Sequence, residues 1–220
     1  MDWPLAIDRN RTALMTIIMA LITALGLSGG GRLTTLPHFL YHRALAIVRP
    51  AESALRRLIM LVVHDMTVRG VKLRAARRET LAGFLHSWRT NPQPDDPRVP
   101  AFNLIDPLKS FGREAPALGG FGFATHSDAP DRTPVPAASL GLRLLALKHA
   151  LENLPRHAKR LARWYRERDL AYAQKQPHRY SPMRPGPAPA SRRRKTEEID
   201  AILLECHLLA IYARERRDSS

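Results

Sequence analysis

Between Arg11 and Arg32 run 20 residues without a charge, TALMTIIMALITALGLSGGG from Thr12 to Gly31. At about 1.5 Å per residue a helix of that length reaches about 30 Å, the thickness of a bilayer's hydrocarbon core. The stretch is read as a single transmembrane anchor over residues 12–31. The leader, residues 1–11, places Trp3 where an interface belt would hold it. Two readings compete with the anchor. One is a buried core helix, since Gly29-Gly30-Gly31 lowers the hydrophobicity and the strongly apolar part is nearer Leu14 to Leu27. A cleaved signal peptide has a passable small-residue site at Ala24-Leu25-Gly26, but Asp2, Trp3 and Asp8 stand where a basic n-region belongs.

Charge is the second constraint. The chain carries 35 Lys and Arg against 20 Asp and Glu, a formal +15. Residues 32–90 hold 11 basic and 3 acidic side chains, and residues 139–176 hold 9 and 3. Such a field attracts polyanions, whether nucleic acid or the anionic face of a bilayer. Arg32, Arg43, Arg49, Arg56 and Arg57 follow the uncharged stretch, so the positive-inside rule puts the C-terminal body in the cytoplasm. Arginine outnumbers lysine 29 to 6, a bias of high-GC bacterial coding, which makes a bacterial inner membrane the expected location. The lone Cys206 excludes an internal disulfide.

The rest reads as mainly α, in basic amphipathic helices separated by Pro/Gly-rich irregular segments. In residues 32–90, Pro37 can open a short helix at His38, and Arg49-Pro50 reads as a break before a new helix. There Ala51, Leu55, Leu58, Val62 and Met66 repeat at helical spacing, and Leu58 to Val63 is wide enough to be core or to press on lipid. Helical patterning continues from Val68 to Arg89. Residues 91–138 hold nine of the 18 prolines and read as irregular, with AFNLIDPLKSFG apolar enough to dock somewhere.

Ser139 suits the N-cap of a basic helix over 139–176. In it Leu140, Leu144, Leu147, Leu151, Leu154, Ala158, Leu161 and Tyr165 form a heptad-like seam that Pro155 should kink or split. The seam serves either an intramolecular helical pair or a homo-oligomer through residues 140–165. A Pro-rich linker with a basic cluster, residues 177–195, leads to a final amphipathic helix over 196–217. Thr196 can cap that helix, and its apolar face is Ile199, Ile202, Leu203, Cys206, Leu209 and Ala213.

No motif supplies a catalytic, metal or cofactor site. His38 and His42 share a helix face, but no carboxylate or cysteine follows at ligand spacing. Cys206 and His207 are adjacent and so point to different faces. His126-Ser127-Asp128 has the letters of a hydrolase triad without its assembly from distant segments. Gly119-Gly120-Phe121-Gly122 lacks the strand-to-helix setting of a phosphate loop. The candidate anion-binding residues are Arg192, Arg193, Arg194 and Lys195, and Arg156, Lys159, Arg160 and Arg163 on the second basic helix. The expectation is a non-enzymatic, membrane-anchored scaffold or adaptor contacting anionic lipid or an acidic protein. The alternative is a membrane-tethered nucleic-acid binder, with Trp164 and Tyr165 among the arginines to stack on bases.

Overall fold

The computed structural model describes residues 2–27, 33–68, 101–107, 132–192 and 197–218, and they are mainly helical. Five helices stand among them: α1 (Trp3–Ala24), α2 (His38–Val68), α3 (Ala138–Glu152), α4 (Leu154–Ala173) and α5 (Glu198–Asp218). Two three-residue strands, β1 (Thr35–Pro37) and β2 (Pro134–Pro136), pair antiparallel in the register Leu36 to Val135. Prolines occupy three of the six strand positions and cannot donate. The flanking amides act instead, His38 N to Thr133 O at 2.9 Å and Ala137 N to Thr34 O at 2.9 Å. This ribbon ties the start of α2 to the start of α3.

α2 is the central helix and touches the other four. From Ser53 to Leu61 every residue is buried, so the broad LIMLVV run is core, packed on protein. The seam on α3 and α4 closes within the same chain: Leu140, Leu144, Leu147, Leu151, Leu154, Ala158, Leu161 and Tyr165 are all buried. So is the whole expected face of α5, from Ile199 to Ala213.

The N-terminal helix departs from the expected anchor. Among the described residues no helix is long and apolar enough to cross a membrane. α1 starts at Trp3, with the Asp2 carboxylate accepting from Leu5 N at 3.2 Å, and ends at Ala24. It therefore includes the charged leader, and its uncharged part, Thr12 to Ala24, reaches only about 20 Å. Gly26 at φ +72° turns the chain out of the helix, in the left-handed region that glycine enters freely. One stripe of α1 (Trp3, Asn10, Leu14, Ile18, Ile22) is buried in the bundle, while Thr12, Thr16, Ala20 and Thr23 are exposed. Trp3 is no interface anchor, for it stacks on Tyr212 of α5 with centroids 5.9 Å apart. Ser28 to Arg32 lie outside the described residues.

Two boundaries also differ, and a third falls where it was expected. α2 runs unbroken through Pro50, where a break was expected. Proline lacks the amide that would bond the Ala46 carbonyl one turn back. Arg192 fills that role, its guanidinium donating to Ala46 O at 2.6 Å. α3 begins at Ala138 behind Ala137, with no side-chain cap, so Ser139 is not the N-cap. The helix is started by the β2 ribbon, which already holds Ala137 N. Pro155 does split the second basic helix as expected, with Asn153 between α3 and α4 and the proline in the first turn of α4.

The Pro-rich segment after α4 packs on the body. Met183 and Ala188 are buried, and Arg168 donates to Tyr180 O at 2.9 Å while lying over the Tyr165 and Tyr180 rings. The expected helical patterning that continues to Arg89 lies, beyond Val68, outside the described residues, as do residues 108–131 of the irregular segment.

Candidate functional site

Residues 156, 159, 160 and 163 follow the i, i+3, i+4, i+7 rule and so share one face of α4. The opposite stripe, Leu154, Ala158, Leu161, Ala162 and Tyr165, is buried, which leaves Arg156, Lys159, Arg160 and Arg163 exposed. They border a cleft of about 640 Å³ whose other walls are His149 of α3, His157 of α4 and the segment Ala101-Phe102. Among the described residues no acidic side chain lines it. Four of the eight anion-binding residues expected from sequence are thus brought together in one place.

The wall opposite α4 is a short strap, residues 101–107, held by arginines. Arg160 donates to Phe102 O at 2.6 Å, and Arg56 donates to Asn103 O at 3.0 Å with its guanidinium over the Phe102 ring. Arg57, fully buried in α2, clasps both carboxylate oxygens of Asp106 at 2.9 and 2.7 Å. Asp106 is itself buried, accepts from Arg184 N at 3.3 Å, and gives its carbonyl to Arg179 at 2.8 Å. Phe102 and Leu104 are buried, so the AFNLID stretch docks as its composition suggested.

His157 is the unusual member of the cleft. It is 6% exposed, and among the described residues neither ring nitrogen has a hydrogen-bond partner. Its ring meets Phe102 edge-on at 6.3 Å and His149 at 6.4 Å. Burial, then the Arg160, His149 and Arg156 charges, push its pKa below the ordinary 6.5, so the imidazole is neutral at neutral pH. A neutral imidazole has one N–H and one lone pair, and leaving either unmatched when buried costs about 1–3 kcal/mol. Arg160 is lowered in the same way, by burial first and then by Arg156. The cleft is poised to take negative charge and hydrogen-bonding oxygen.

Neither a family model, a curated protein nor a solved structure matches this chain. The chemistry of the cleft must therefore be read from its own residues. Beside it lies a second groove of about 420 Å³, which shares Arg160 and Arg163 and adds Asn103, Leu104, Trp164 and Glu167. Trp164 is half-buried there, packed on Tyr165 and His178 at 5.3 and 5.1 Å between centroids.

The other expected cationic patch is not part of this site. Arg192 is turned inward, bonding Ala46 O and lying 3.5 Å from both Glu197 and the buried Asp200. Arg193, Arg194, Lys195 and Thr196 lie outside the described residues, as do Gly119 to Gly122 and His126 to Asp128. The His38 and His42 rings pack at 4.3 Å, and among the described residues no group of three His, Cys, Asp or Glu could hold a metal ion. Cys206 is fully buried with its thiol pushed up to about 12, chiefly by desolvation. It is an inert core residue. His207 points elsewhere and accepts from Arg57 Nε at 3.4 Å.

Sequence reading missed His157 and the clasp of Arg57 on Asp106. The clasp had a signal. Arg56 and Arg57 sit directly before LIMLVV, and a cation on a helix that apolar must find a carboxylate or remain in water. For His157 there was no signal, because one histidine beside arginines on an amphipathic helix is ordinary.

Proposed function

We propose that the protein is a non-enzymatic, basic helical adaptor that docks onto an anionic, phosphate-bearing lipid surface through the cleft face of α4. The observation that carries this reading is the alignment of Arg156, Lys159, Arg160 and Arg163 along a solvent-facing cleft that no carboxylate lines among the described residues. The reading needs no spanning helix. Each cation near an anionic leaflet contributes about 1 kcal/mol, screened over a Debye length of about 8 Å at physiological salt. Such docking is peripheral and salt-sensitive.

The groove holding Trp164 beside Arg160 and Arg163 favours a second reading, single-stranded nucleic acid with a base against the indole. It ranks below the first because Tyr165 and His178 already pack on that ring.

The test is vesicle co-sedimentation beside a gel shift, each over a salt series, with the full chain and the variant Arg156→Gln, Lys159→Gln, Arg163→Gln. Arg160 is left in place because it holds the strap. The expected result is binding to anionic but not zwitterionic vesicles, weakened about 100-fold at low salt in the variant, as the loss of about 3 kcal/mol implies. Equal binding by parent and variant overturns the proposal. Binding to oligonucleotide alone transfers the site to the second reading.

A further inference from the structure

The cleft does more than gather charge. It holds a buried imidazole with both nitrogens unmatched, walled by cations and by the Phe102 ring. A patch evolved only to lie along a charged surface needs exposed Lys and Arg, and nothing in that role calls for a histidine at 6% exposure. Among the described residues no neighbour hydrogen-bonds either His157 nitrogen. The adjoining charged groups are Arg156 and Arg160 on its own helix and His149 on α3, all of which repel a proton on it. A neutral imidazole in such a setting both donates one hydrogen bond and accepts one.

That demand selects among anions. A phosphodiester carries one negative charge, two free oxygens and no proton near neutrality. Sulfate is likewise unprotonated. A phosphomonoester has three terminal oxygens, about −1.5 to −2 charge and a second pKa near 6, so part of it carries a P–OH at neutral pH. Its oxygens accept from the imidazole N–H and from the guanidinium forks, which match phosphate geometry. One proton shared between a phosphate oxygen and the second imidazole nitrogen completes that pair, whichever of the two atoms carries it. The cleft, of about 640 Å³, has room for a group larger than the phosphate itself, with Phe102 as apolar wall.

We infer that the cleft of His157, Arg156, Lys159, Arg160 and Arg163 is a binding site for a terminal phosphate monoester, carried on a lipid headgroup or on a soluble molecule. This rests on the docking reading above and narrows it from any anionic surface to one phosphate class.

The experiment uses the full chain and separates the two claims. Vesicles containing phosphatidic acid, a monoester, are compared with vesicles containing phosphatidylglycerol, a diester, at equal surface charge. Glycerol 3-phosphate is titrated calorimetrically against sulfate. The expected result is at least about tenfold tighter binding to the phosphatidic acid vesicles, and glycerol 3-phosphate binding more tightly than sulfate by a similar factor. One added charge-assisted hydrogen bond supplies such a factor. Competition by glycerol 3-phosphate on the vesicles identifies a site open to soluble ligands. Monoester preference on vesicles without such competition identifies the lipid as the source. Both outcomes support the inference.

Equal binding to the two vesicle types, with sulfate equal to glycerol 3-phosphate, overturns the monoester site and leaves anionic docking standing. Monoester binding in solution without any vesicle binding keeps the site and ends the lipid reading. No binding in either arm ends both. His157→Phe, confirmed as folded by its melting curve, should erase the monoester-to-diester ratio while keeping the salt-sensitive vesicle binding. The comparison of anions on the parent chain decides the matter even if that variant does not fold.

Discussion

Two groups of cations in this protein have opposite relations to their surroundings. Arg56 and Arg57, in the middle of α2, are buried and engaged: Arg57 clasps Asp106, and Arg56 bonds the strap and lies near Glu52 and Asp106. Arg156, Lys159, Arg160 and Arg163, on α4, are exposed around a cleft that no carboxylate lines among the described residues. The first group must be structural, since a buried charge without a partner costs several kcal/mol. In the second only Arg160 serves the fold, through its bond to Phe102 O, and the mutual repulsion of the four persists unless something anionic relieves it. Local sequence is similar in the two cases. The surroundings decide.

The largest effect expected is at the buried clasp. Arg57→Ala or Asp106→Ala should destabilise the fold by about 3–5 kcal/mol, because either takes the two-pronged partner from a buried charge. For a chain of this size that lowers Tm by about 10 °C, readable in a thermal melt. Arg57→Met with Asp106→Leu should recover much of the loss, since it removes both charges and keeps volume. If the single variants melt like the parent, the distinction between the two groups has no basis in stability.

Arg192 sharpens the comparison, because it comes from a patch expected to bind anions but is turned inward. Arg192→Ala should cost about 1–3 kcal/mol in a urea titration, by uncovering the Ala46 carbonyl that Pro50 cannot serve and by leaving Asp200 buried without its cation. Restoring the missing amide with Pro50→Ala in the same chain should return part of that loss. No gain from the second change would mean that the carbonyl never needed the guanidinium.

These cases show what the sequence carried. The apolar faces of α3, α4 and α5 were legible because helical periodicity reports burial directly, and Pro155 marked the split because a proline suits a first turn. The span was misjudged because absence of charge was counted from Thr12 to Gly31, whereas the helix is set by the Asp2 cap at one end and Gly26 at the other. Its exposed threonines, one turn apart at Thr12 and Thr16, were the contrary sign. Pro50 was misjudged because its remedy, Arg192, lies far along the chain. The cation face of α4 was legible from spacing alone. Its becoming a cleft depends on the strap, and Asp106 finding Arg57 is a long-range event that no local pattern announces.

A smaller effect is expected with pH. Burial lowers the pKa of His157, helped by Arg160, His149 and Arg156, and that of His207, helped by Arg57 and Arg214 and opposed by Asp106. In the unfolded chain both sit near 6.5. As pH falls below that value the unfolded state takes up protons before the folded one, so stability rises with pH in this window. It should be complete above about pH 7 and decline from pH 6.5 down toward the lowered folded values. His157→Phe should flatten part of that acid-side slope in urea titrations at pH 5, 6 and 7. An unchanged slope would place the titration at His207 or elsewhere, and His157 would not be held neutral by its cleft.

The smallest effect is the most discriminating. The variant Arg156→Gln, Lys159→Gln, Arg163→Gln removes three cations that have no described carboxylate partner, on a helix held by its opposite, buried stripe. Surface changes of that kind stay within about 0.5 kcal/mol of the parent. The sign should be toward greater stability, since three like charges beside Arg160 no longer repel one another, and the gain should shrink as salt is raised because exposed charges are screened. A net charge lowered from +15 by three also reduces the self-repulsion of the whole molecule. Urea titrations at low and high salt measure both the sign and the screening. A loss above about 1 kcal/mol would mean that these cations hold the fold as Arg57 does, and the cleft would then be a structural seam with no spare charge to offer a ligand.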